Sequence, residues 1–290
     1  MAECKGRIYS GGKDDAIRVW NKNTLELEKA LDVEHDAAVW SIAAWHDNLI
    51  SGHDDGKVRI WDLSKGLCEQ VLEGHEDGVN ALVVCGSRLA SGSDDCTVRL
   101  WAMSPDARAP WPCERTLEGH RGLVSCLAVW EDKVISGSWD DSIRVSDVAT
   151  GEHIKTLAGH ADTVMALLVQ HSSSTAAGPR LISASVDGKV RVWALGGDWA
   201  ALRTLAAYPA GAGQWVRCLA SCGAGLVAGS FGPEDAGQRF ELQVWDPETL
   251  EPRRTVRLPE GQRVLALLGT EEGHVWGGVG EQSVAVWGRE

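Results

Sequence analysis

A short segment recurs along the chain, and its best-formed copy reads Ser91-Gly92-Ser93-Asp94-Asp95-Cys96-Thr97-Val98-Arg99-Leu100-Trp101. Other copies span residues 10–20, 51–61, 136–146 and 183–193, and weaker copies end at Trp245 and Trp287. The copies end at residues 20, 61, 101, 146, 193, 245 and 287. A period of roughly 40 to 50 residues with a terminal tryptophan indicates small repeated β-sheets rather than a helical solenoid.

Each repeat contains short apolar runs that are separated by turn residues. In one unit the pattern predicts strands at Val79–Cys85, Arg88–Gly92 and Thr97–Trp101, with the fourth strand at Cys68–Leu72 or at the later, equivalent Cys113–Leu117. These runs are rich in Val, Leu and Ile and are bounded by Gly and Asp, which favours strands joined by tight turns. No apolar stripe of helical period persists for the 10–12 residues that a helix needs. The chain is therefore predicted to be all-β.

Two dipeptides mark the repeats. Gly-His occurs at residues 74–75, 119–120 and 159–160, with the variant Glu34-His35, and Trp-Asp occurs at residues 61–62 and 245–246. This pattern resembles the WD40-repeat family, and the resemblance covers nearly the whole chain. It implies a single domain over residues 1–290, a seven-bladed β-propeller whose blades are four-stranded and antiparallel.

The two ends of the chain depart from a complete repeat. Cys4–Gly11 aligns with Cys85–Gly92, so Met1 falls in the middle of a first strand, and only three residues follow Trp287. We therefore expect the first and last blades to be incomplete. The corresponding hypothesis is that the chain is an N-terminally shortened form of a longer protein, whose absent part carries another domain.

Polar residues recur at fixed spacing within the repeats. The predicted set comprises His35, Ser51, Asp55 and Trp61; His75, Ser91, Asp95 and Trp101; His120, Ser136 and Asp140; and His160, Ser183, Asp187 and Trp193. A Ser-His-Asp combination also describes hydrolase triads, but a catalytic triad occurs once in a chain, whereas this set recurs four times. The family resemblance implies a structural network in which Asp orients His, and His reaches Ser and the Trp indole.

Ser146 replaces the tryptophan of the fourth unit, so that blade is expected to be softer. Units six and seven lack the His and have Arg239 and Glu281 at the Asp position.

Composition and motifs restrict the functional classes. The chain has 290 residues and a formal net charge of −13, which disfavours nucleic acid as the main partner. Its eight cysteines form no CxxC pair, and the phosphate-loop, HExxH and GxSxG motifs do not occur. The longest apolar runs are too short to span a bilayer. We therefore expect no metal, no cofactor, no membrane partner and no enzymatic activity, and a cytoplasmic location with the nucleus as the alternative.

A candidate partner-binding face follows from the repeat frame. The frame selects residues just after the valine of the first strand or just before the turn Asp, and Trp215 and Arg263 lie beside it. The selected residues include exposed-looking tryptophans. The candidates are Trp40, Trp139, Met165, Trp215, Arg217 and Arg263. Because Trp and Arg dominate interface energies, these residues favour a scaffold that binds partner peptides or domains. The alternative is the substrate-recognition propeller of a ubiquitin ligase whose N-terminal module lies outside this sequence, although the Trp-Asp-x-Arg element associated with cullin-adaptor docking is absent.

Overall fold

The computed structural model describes residues 1–31, 36–106, 108–171, 178–208, 215–222, 225–231, 240–259, 264–270, 274–279 and 283–287. Regular secondary structure in these residues consists of β-strands alone, which confirms the all-β prediction. Over the same residues there is accordingly no helix long and apolar enough to cross a membrane. The chain divides into two compact units, residues 1–156 and residues 157–290.

The first unit contains four antiparallel sheets. Its strands are β1 (Ala2–Cys4), β2 (Arg7–Gly11), β3 (Ile17–Asn21), β4 (Leu27–Leu31), β5 (Val39–Trp45), β6 (Asn48–His53), β7 (Val58–Asp62), β8 (Leu67–Leu72), β9 (Val79–Cys85), β10 (Arg88–Ser93), β11 (Val98–Ala102), β12 (Cys113–Leu117), β13 (Val124–Trp130), β14 (Lys133–Ser138), β15 (Ile143–Asp147) and β16 (His153–Leu157), the last of which ends at the boundary. Each sheet consists of four consecutive strands. The fourth strand beside β11 is β12, which decides between the two predicted alternatives.

The second unit contains three further sheets. Its strands are β17 (Val164–Gln170), β18 (Arg180–Ser185), β19 (Lys189–Ala194), β20 (Ala201–Ala206), β21 (Trp215–Cys222), β22 (Gly225–Phe231), β23 (Glu241–Trp245), β24 (Pro252–Arg257), β25 (Val264–Gly269), β26 (Val275–Val279) and β27 (Ser283–Trp287). Two of these sheets have four strands, and the third has three among the residues that the structure describes.

Seven sheets of this kind are the blades of a β-propeller, so the predicted fold class is confirmed. The last blade has three strands, as expected. The first blade differs in detail from the expectation, because its four strands are all present and only β1 is short. The prediction of one domain over residues 1–290 stays a prediction.

The turn between the second and third strands explains the recurring Asp-Asp and Asp-Gly pairs. Five sheets place one residue of this turn in the left-handed region, with φ between 64° and 75°: Asp15, Gly56, Cys96, Asp141 and Gly188. Glycine enters this region without steric cost, and Asp tolerates it better than most residues. The turn chemistry of the sequence therefore sets where the hairpins close.

The apolar core lies between neighbouring sheets within each unit. Trp61 packs with residues of the first and second sheets, and Trp101 with residues of the second and third. In the second unit, Trp245 joins the cluster that links β17–β20 to β21–β24. The cluster between the third and fourth sheets consists instead of aliphatic side chains and Cys85. The softer fourth blade, which was expected from Ser146, stays a prediction.

The connection between β11 and β12 adds a buried tryptophan to the first unit. Trp111 is buried and meets the ring of Trp45 edge-on, with 5.7 Å between the ring centroids. Gln70 holds the same segment from the neighbouring sheet. Its Nε2 donates to the carbonyl oxygen of Ala109 at 3.0 Å, and its Oε1 accepts from the backbone N–H of Trp111 at 2.9 Å. The insertion therefore ties the second and third sheets together.

Replacing Trp111 by Ala is expected to lower the free energy of unfolding by about 3–5 kcal/mol, because it removes a large buried ring and leaves a cavity. Trp139→Ala is the matched control, since Trp139 is exposed and its loss should change stability by less than about 0.5 kcal/mol. Urea unfolding followed by circular dichroism measures both variants. Equal, small effects would contradict the tying role of the insertion.

Candidate functional site

A chain of side-chain hydrogen bonds crosses the third sheet. The Trp101 indole N–H donates to Ser91 Oγ at 2.8 Å, and Ser91 Oγ lies 2.7 Å from His75 Nε2. His75 Nδ1 lies 2.7 Å from Asp95 Oδ2. The Asp95 carboxylate also accepts from the backbone and hydroxyl of Thr97 and from the backbone N–H of Glu76. The structure thus brings together all four residues that the sequence grouped in this unit.

The same arrangement recurs in the next two sheets. His120 bridges Ser136 at 2.8 Å and Asp140 at 2.9 Å, and His160 bridges Ser183 at 2.7 Å and Asp187 at 3.0 Å. The fifth sheet completes the chain, because Trp193 donates to Ser183 Oγ at 2.9 Å. In the fourth sheet the residue at the tryptophan position is Ser146, which is buried.

The bonds determine the protonation state of the histidines. An ionised Asp carboxylate can only accept, so the ring hydrogen lies on Nδ1 and faces Asp. The unprotonated Nε2 of the neutral ring then accepts from the serine hydroxyl. Burial lowers the pKa of His75 and of His120, which keeps both rings neutral near pH 7. Burial alone would raise the pKa of the Asp140 carboxyl, but hydrogen bonds from Ser142, the Arg121 backbone and His120 outweigh it and lower the pKa to about 2.

This geometry is that of a catalytic triad, but the serine is not available as a nucleophile. Ser91 and Ser183 are fully buried, and each hydroxyl oxygen is occupied by an indole N–H. A substrate carbonyl would have to reach about 3 Å from this oxygen. The network is therefore suited to fixing strand positions and not to acyl transfer.

The second sheet differs from the prediction. His35 lies outside the described residues, and the histidine that contacts Ser51 is His53, whose Nε2 lies 2.7 Å from Ser51 Oγ. Trp61 donates to the same Ser51 Oγ at 2.7 Å, and His53 Nδ1 faces the carbonyl oxygen of Ala37 at 3.3 Å. Asp55 is instead bound on both oxygens by Arg59, at 3.0 and 2.7 Å. The hydrogen bonds run in the same order as in the other sheets, from the indole through serine to histidine. The histidine of this sheet, however, faces a backbone carbonyl oxygen instead of an Asp carboxylate.

Sequence reasoning missed the arginine of the third strand. It recurs as Arg18, Arg59, Arg99, Arg144 and Arg191, always two residues before the tryptophan position. Arg18 binds Asp14 as Arg59 binds Asp55, whereas Arg99 and Arg144 lie against the glycines of Gly-His. A Cβ added to Gly119, whose φ is 116°, would stand 2.6 Å from Arg144 Nη2. Gly119 therefore needs to be glycine chiefly because side chains rarely adopt its φ, and the guanidinium of Arg144 covers the space beside it. The fixed spacing of the arginine was the signal in the sequence.

The sixth sheet uses a tyrosine that the repeat pattern did not flag. Tyr208 is buried, and its hydroxyl donates to the carbonyl oxygen of Glu241 at 3.1 Å. Burial raises the pKa of this phenol strongly, so it stays a neutral donor. Arg239 and Glu281, which stand at the Asp position of the last two units, lie outside the described residues.

A β-bulge recurs near the start of the first strand. In six sheets the register with the second strand skips one residue, and that residue always follows a valine. The skipped residues are Trp40, Asn80, Ser125, Met165, Arg217 and Leu265. A bulge redirects a side chain away from the pleated surface. Three of the candidate partner-binding residues, Trp40, Met165 and Arg217, are thus bulge residues, whereas Trp215 is paired in its strand. The sequence pattern located these three positions without revealing the bulge.

The predicted partner-binding residues differ in exposure. Trp40 and Trp139 are 38% and 55% exposed, and both belong to the first unit. In the second unit, Met165, Trp215 and Arg217 are half-buried, so Trp215 is less exposed than the sequence suggested. Arg263 lies outside the described residues.

Metal-ligating side chains do not converge in the part of the chain that the structure describes. The eight cysteines are free thiols, and burial raises the pKa of Cys126 and of Cys218 to about 12, so these two stay protonated. A thiol in this state is a small apolar side chain rather than a ligand.

Comparison with known proteins agrees with this architecture. The family model "WD domain, G-beta repeat" matches residues 28–62, 66–102, 111–147 and 151–194. The chain belongs to the WD40-repeat family. Propellers of this family generally serve as protein-interaction scaffolds.

Several curated relatives are similar over part of the chain. The WD repeat-containing protein pop1 of Schizosaccharomyces pombe is 26% identical over 61% of this chain and 23% of its own length. The cell division control protein 4 of Saccharomyces cerevisiae is 36% identical over 26% of this chain and 10% of its own. The F-box/WD repeat-containing protein sel-10 of Caenorhabditis elegans is 31% identical over 26% of this chain and 13% of its own. The chain therefore spans less than a quarter of the length of these relatives.

The buried histidines predict that stability falls on mild acidification. Unfolded histidine titrates near pH 6.5, and the pKa of His75 and His120 is lower in the folded protein. The unfolded state therefore binds more protons below about pH 7, so the free energy of unfolding decreases as the pH falls toward 5.5. Urea unfolding at pH 7.5, 6.5 and 5.5 measures this slope.

The double variant His75→Asn/His120→Asn is expected to have a shallower slope than the unchanged protein. His46→Asn is the matched control, because His46 is exposed in a hairpin at φ 53°, a conformation that Asn adopts readily. An unchanged slope in the double variant would show that these histidines do not carry the pH dependence.

Proposed function

We propose that this chain is a non-enzymatic scaffold that binds partner peptides or protein domains at the strand ends where the bulge residues lie. One contrast supports this function most directly. The recurring Ser, His and Asp are engaged in internal hydrogen bonds, whereas Trp40 and Trp139 extend into solvent. Large exposed aromatic side chains on a rigid sheet edge are typical anchors of protein interfaces.

The protein is proposed to act through protein partners, without a cofactor, in the cytoplasm or the nucleus. The acidic net charge of −13 supports a protein partner over nucleic acid as the main ligand, because phosphate recognition needs clustered Lys and Arg. Membership of the WD40-repeat family also supports the scaffold function.

A second candidate is substrate recognition within a ubiquitin ligase. One relative is named an F-box/WD repeat-containing protein, and this chain covers 13% of its length. The sequence favours the general scaffold function over the ligase function, because the Arg of the Trp-Asp-x-Arg element is missing. It is absent from both Trp61-Asp62-Leu63-Ser64 and Trp245-Asp246-Pro247-Glu248. Co-purification of a cullin with the longest natural form of the protein would favour the ligase function.

The scaffold function predicts that partners depend on the exposed tryptophans. Quantitative affinity purification is done with the intact chain, with Trp139→Ala and with Leu67→Ala, a control in which an equally exposed apolar side chain of the outer strand β8 is removed. We expect at least one partner to be depleted about ten-fold by Trp139→Ala and retained by Leu67→Ala, because losing an aromatic anchor costs about 2 kcal/mol or more. Identical partner sets for all three proteins would contradict the proposed surface.

A further inference from the structure

A strip of exposed and half-buried side chains crosses three sheets of the first unit. Among the tryptophans whose side chains the structure describes, Trp40 and Trp139 alone are exposed. They stand near the two ends of the strip, and acidic residues lie between them. The Trp–Asp strip is defined here as Trp40, Asp54, Asp77, Asp94 and Trp139.

Hydrogen bonds hold the second-sheet part of the strip. Trp40 Nε1 donates to Asp54 Oδ1 at 2.8 Å, and the Asp54 backbone N–H donates to the carbonyl oxygen of Ala38 at 3.0 Å. The Trp40 indole is therefore fixed in orientation although it is exposed. Lys13 Nζ lies 5.7 Å from the centroid of this ring, which shows that the end of the strip at Trp40 already receives a cation.

The third sheet repeats this pairing. Asn80 Nδ2 donates to Asp94 Oδ1 at 2.6 Å and lies 3.3 Å from the carbonyl oxygen of Val124 in the fourth sheet. Gly78 separates the two carboxylate positions, since a Cβ built on it would stand 3.2 Å from Asp94 Oδ2 and 3.6 Å from Asp54 Cα. Because Gly78 has no side chain, it projects nothing between Asp54 of the second sheet and Asp94 of the third.

In the fourth sheet a tryptophan takes the place of the acid. Trp139 occupies the frame position of Asp54 and Asp94, and its backbone N–H donates to the carbonyl oxygen of Leu123 at 3.0 Å, as the corresponding N–H groups do in the two preceding sheets. The ring is 55% exposed. It is thus held by the backbone at the sheet edge with most of its surface in water.

The three carboxylates of the strip form no ion pair among the described residues. Among the described residues, no Lys, Arg or His nitrogen lies within 4.0 Å of the carboxylate oxygens of Asp54, Asp77 or Asp94, in contrast to Asp14 and Asp55, which are bound by arginines. Burial, and then the neighbouring charges of Asp77 and Asp54, raise the pKa of Asp94. The strip therefore brings together three carboxylates that are not engaged in ion pairs within the described part of the chain.

We propose that the Trp–Asp strip binds a cationic, extended segment of a partner protein. Lysine or arginine side chains of the segment pair with Asp54, Asp77 and Asp94, and an aliphatic stem or guanidinium plane covers Trp139. Charge complementarity gives such a surface its specificity and a fast association, and the tryptophan supplies the apolar anchor. The inference rests on the proposed scaffold function and adds the chemical class of the partner.

The test uses the full chain and a randomised dodecapeptide display library as the probe. We expect the selected peptides to be enriched in Lys and Arg. For the tightest peptide, labelled with fluorescein, Asp54→Asn/Asp94→Asn and Trp139→Ala are each expected to weaken binding at least ten-fold in fluorescence anisotropy. Raising the salt concentration should weaken binding to the unchanged chain and have a smaller effect on the double Asn variant, because fewer charge pairs remain to be screened.

Asp47→Asn/Asp132→Asn is the matched control. It removes the same number of charges from two exposed hairpins of the first unit that lie outside the strip, and binding should stay within two-fold. Circular dichroism establishes that each variant is folded.

The outcomes separate this inference from the scaffold function. Acidic or neutral peptides that still lose affinity on Trp139→Ala would overturn the cationic partner and leave the scaffold function intact. Cationic peptides that bind the double Asn variant as tightly as the unchanged chain would also overturn the inference. A library that yields no binder, or binders indifferent to Trp139, would contradict both.

Discussion

One serine hydroxyl in each well-formed sheet connects the strands of that sheet. It accepts from the tryptophan indole and donates to a histidine, which in turn donates to an aspartate at the hairpin turn. Every donor in this series has one acceptor, so the buried polar groups are satisfied in only one arrangement. Moving a strand by one residue would place these side chains on the other face of the sheet and leave several of them unpaired. The register of the blade therefore depends on this chain of bonds.

The same network separates the repeated polar residues inside the sheets from the variable residues at the sheet edge. Ser91 and Ser183 are fully buried, which withdraws them from any substrate. In the six sheets that have it, the bulge of the first strand and the residue after the second strand are positions where side-chain identity varies from blade to blade. A constant interior thus supports a variable edge, and the exposed Trp40 and Trp139 belong to that edge.

Repeat spacing predicted the sheets well because the strand order is encoded locally. β9 and β12 were predicted with their observed bounds, and the Asp-Asp and Asp-Gly turns fell where left-handed residues occur. The hydrogen-bond partner of each polar side chain was less predictable, because it depends on which side chains can reach one another in three dimensions. Ser51 bonds His53 from its own strand, and Asp55 bonds Arg59, neither of which the Gly-His spacing implies. Likewise, Trp215 is half-buried although it has the same residue type as the exposed Trp139.

The direction of the hydrogen-bonded chain is the central claim, and the ring nitrogens of the histidines report it directly. Nitrogen-15 NMR of the full chain at pH 7 distinguishes a protonated from an unprotonated nitrogen in each imidazole. For His75 and His120 we expect neutral rings with the hydrogen on Nδ1, facing Asp95 and Asp140, and an unprotonated Nε2 facing serine. A hydrogen on Nε2, or a doubly protonated ring, would contradict it.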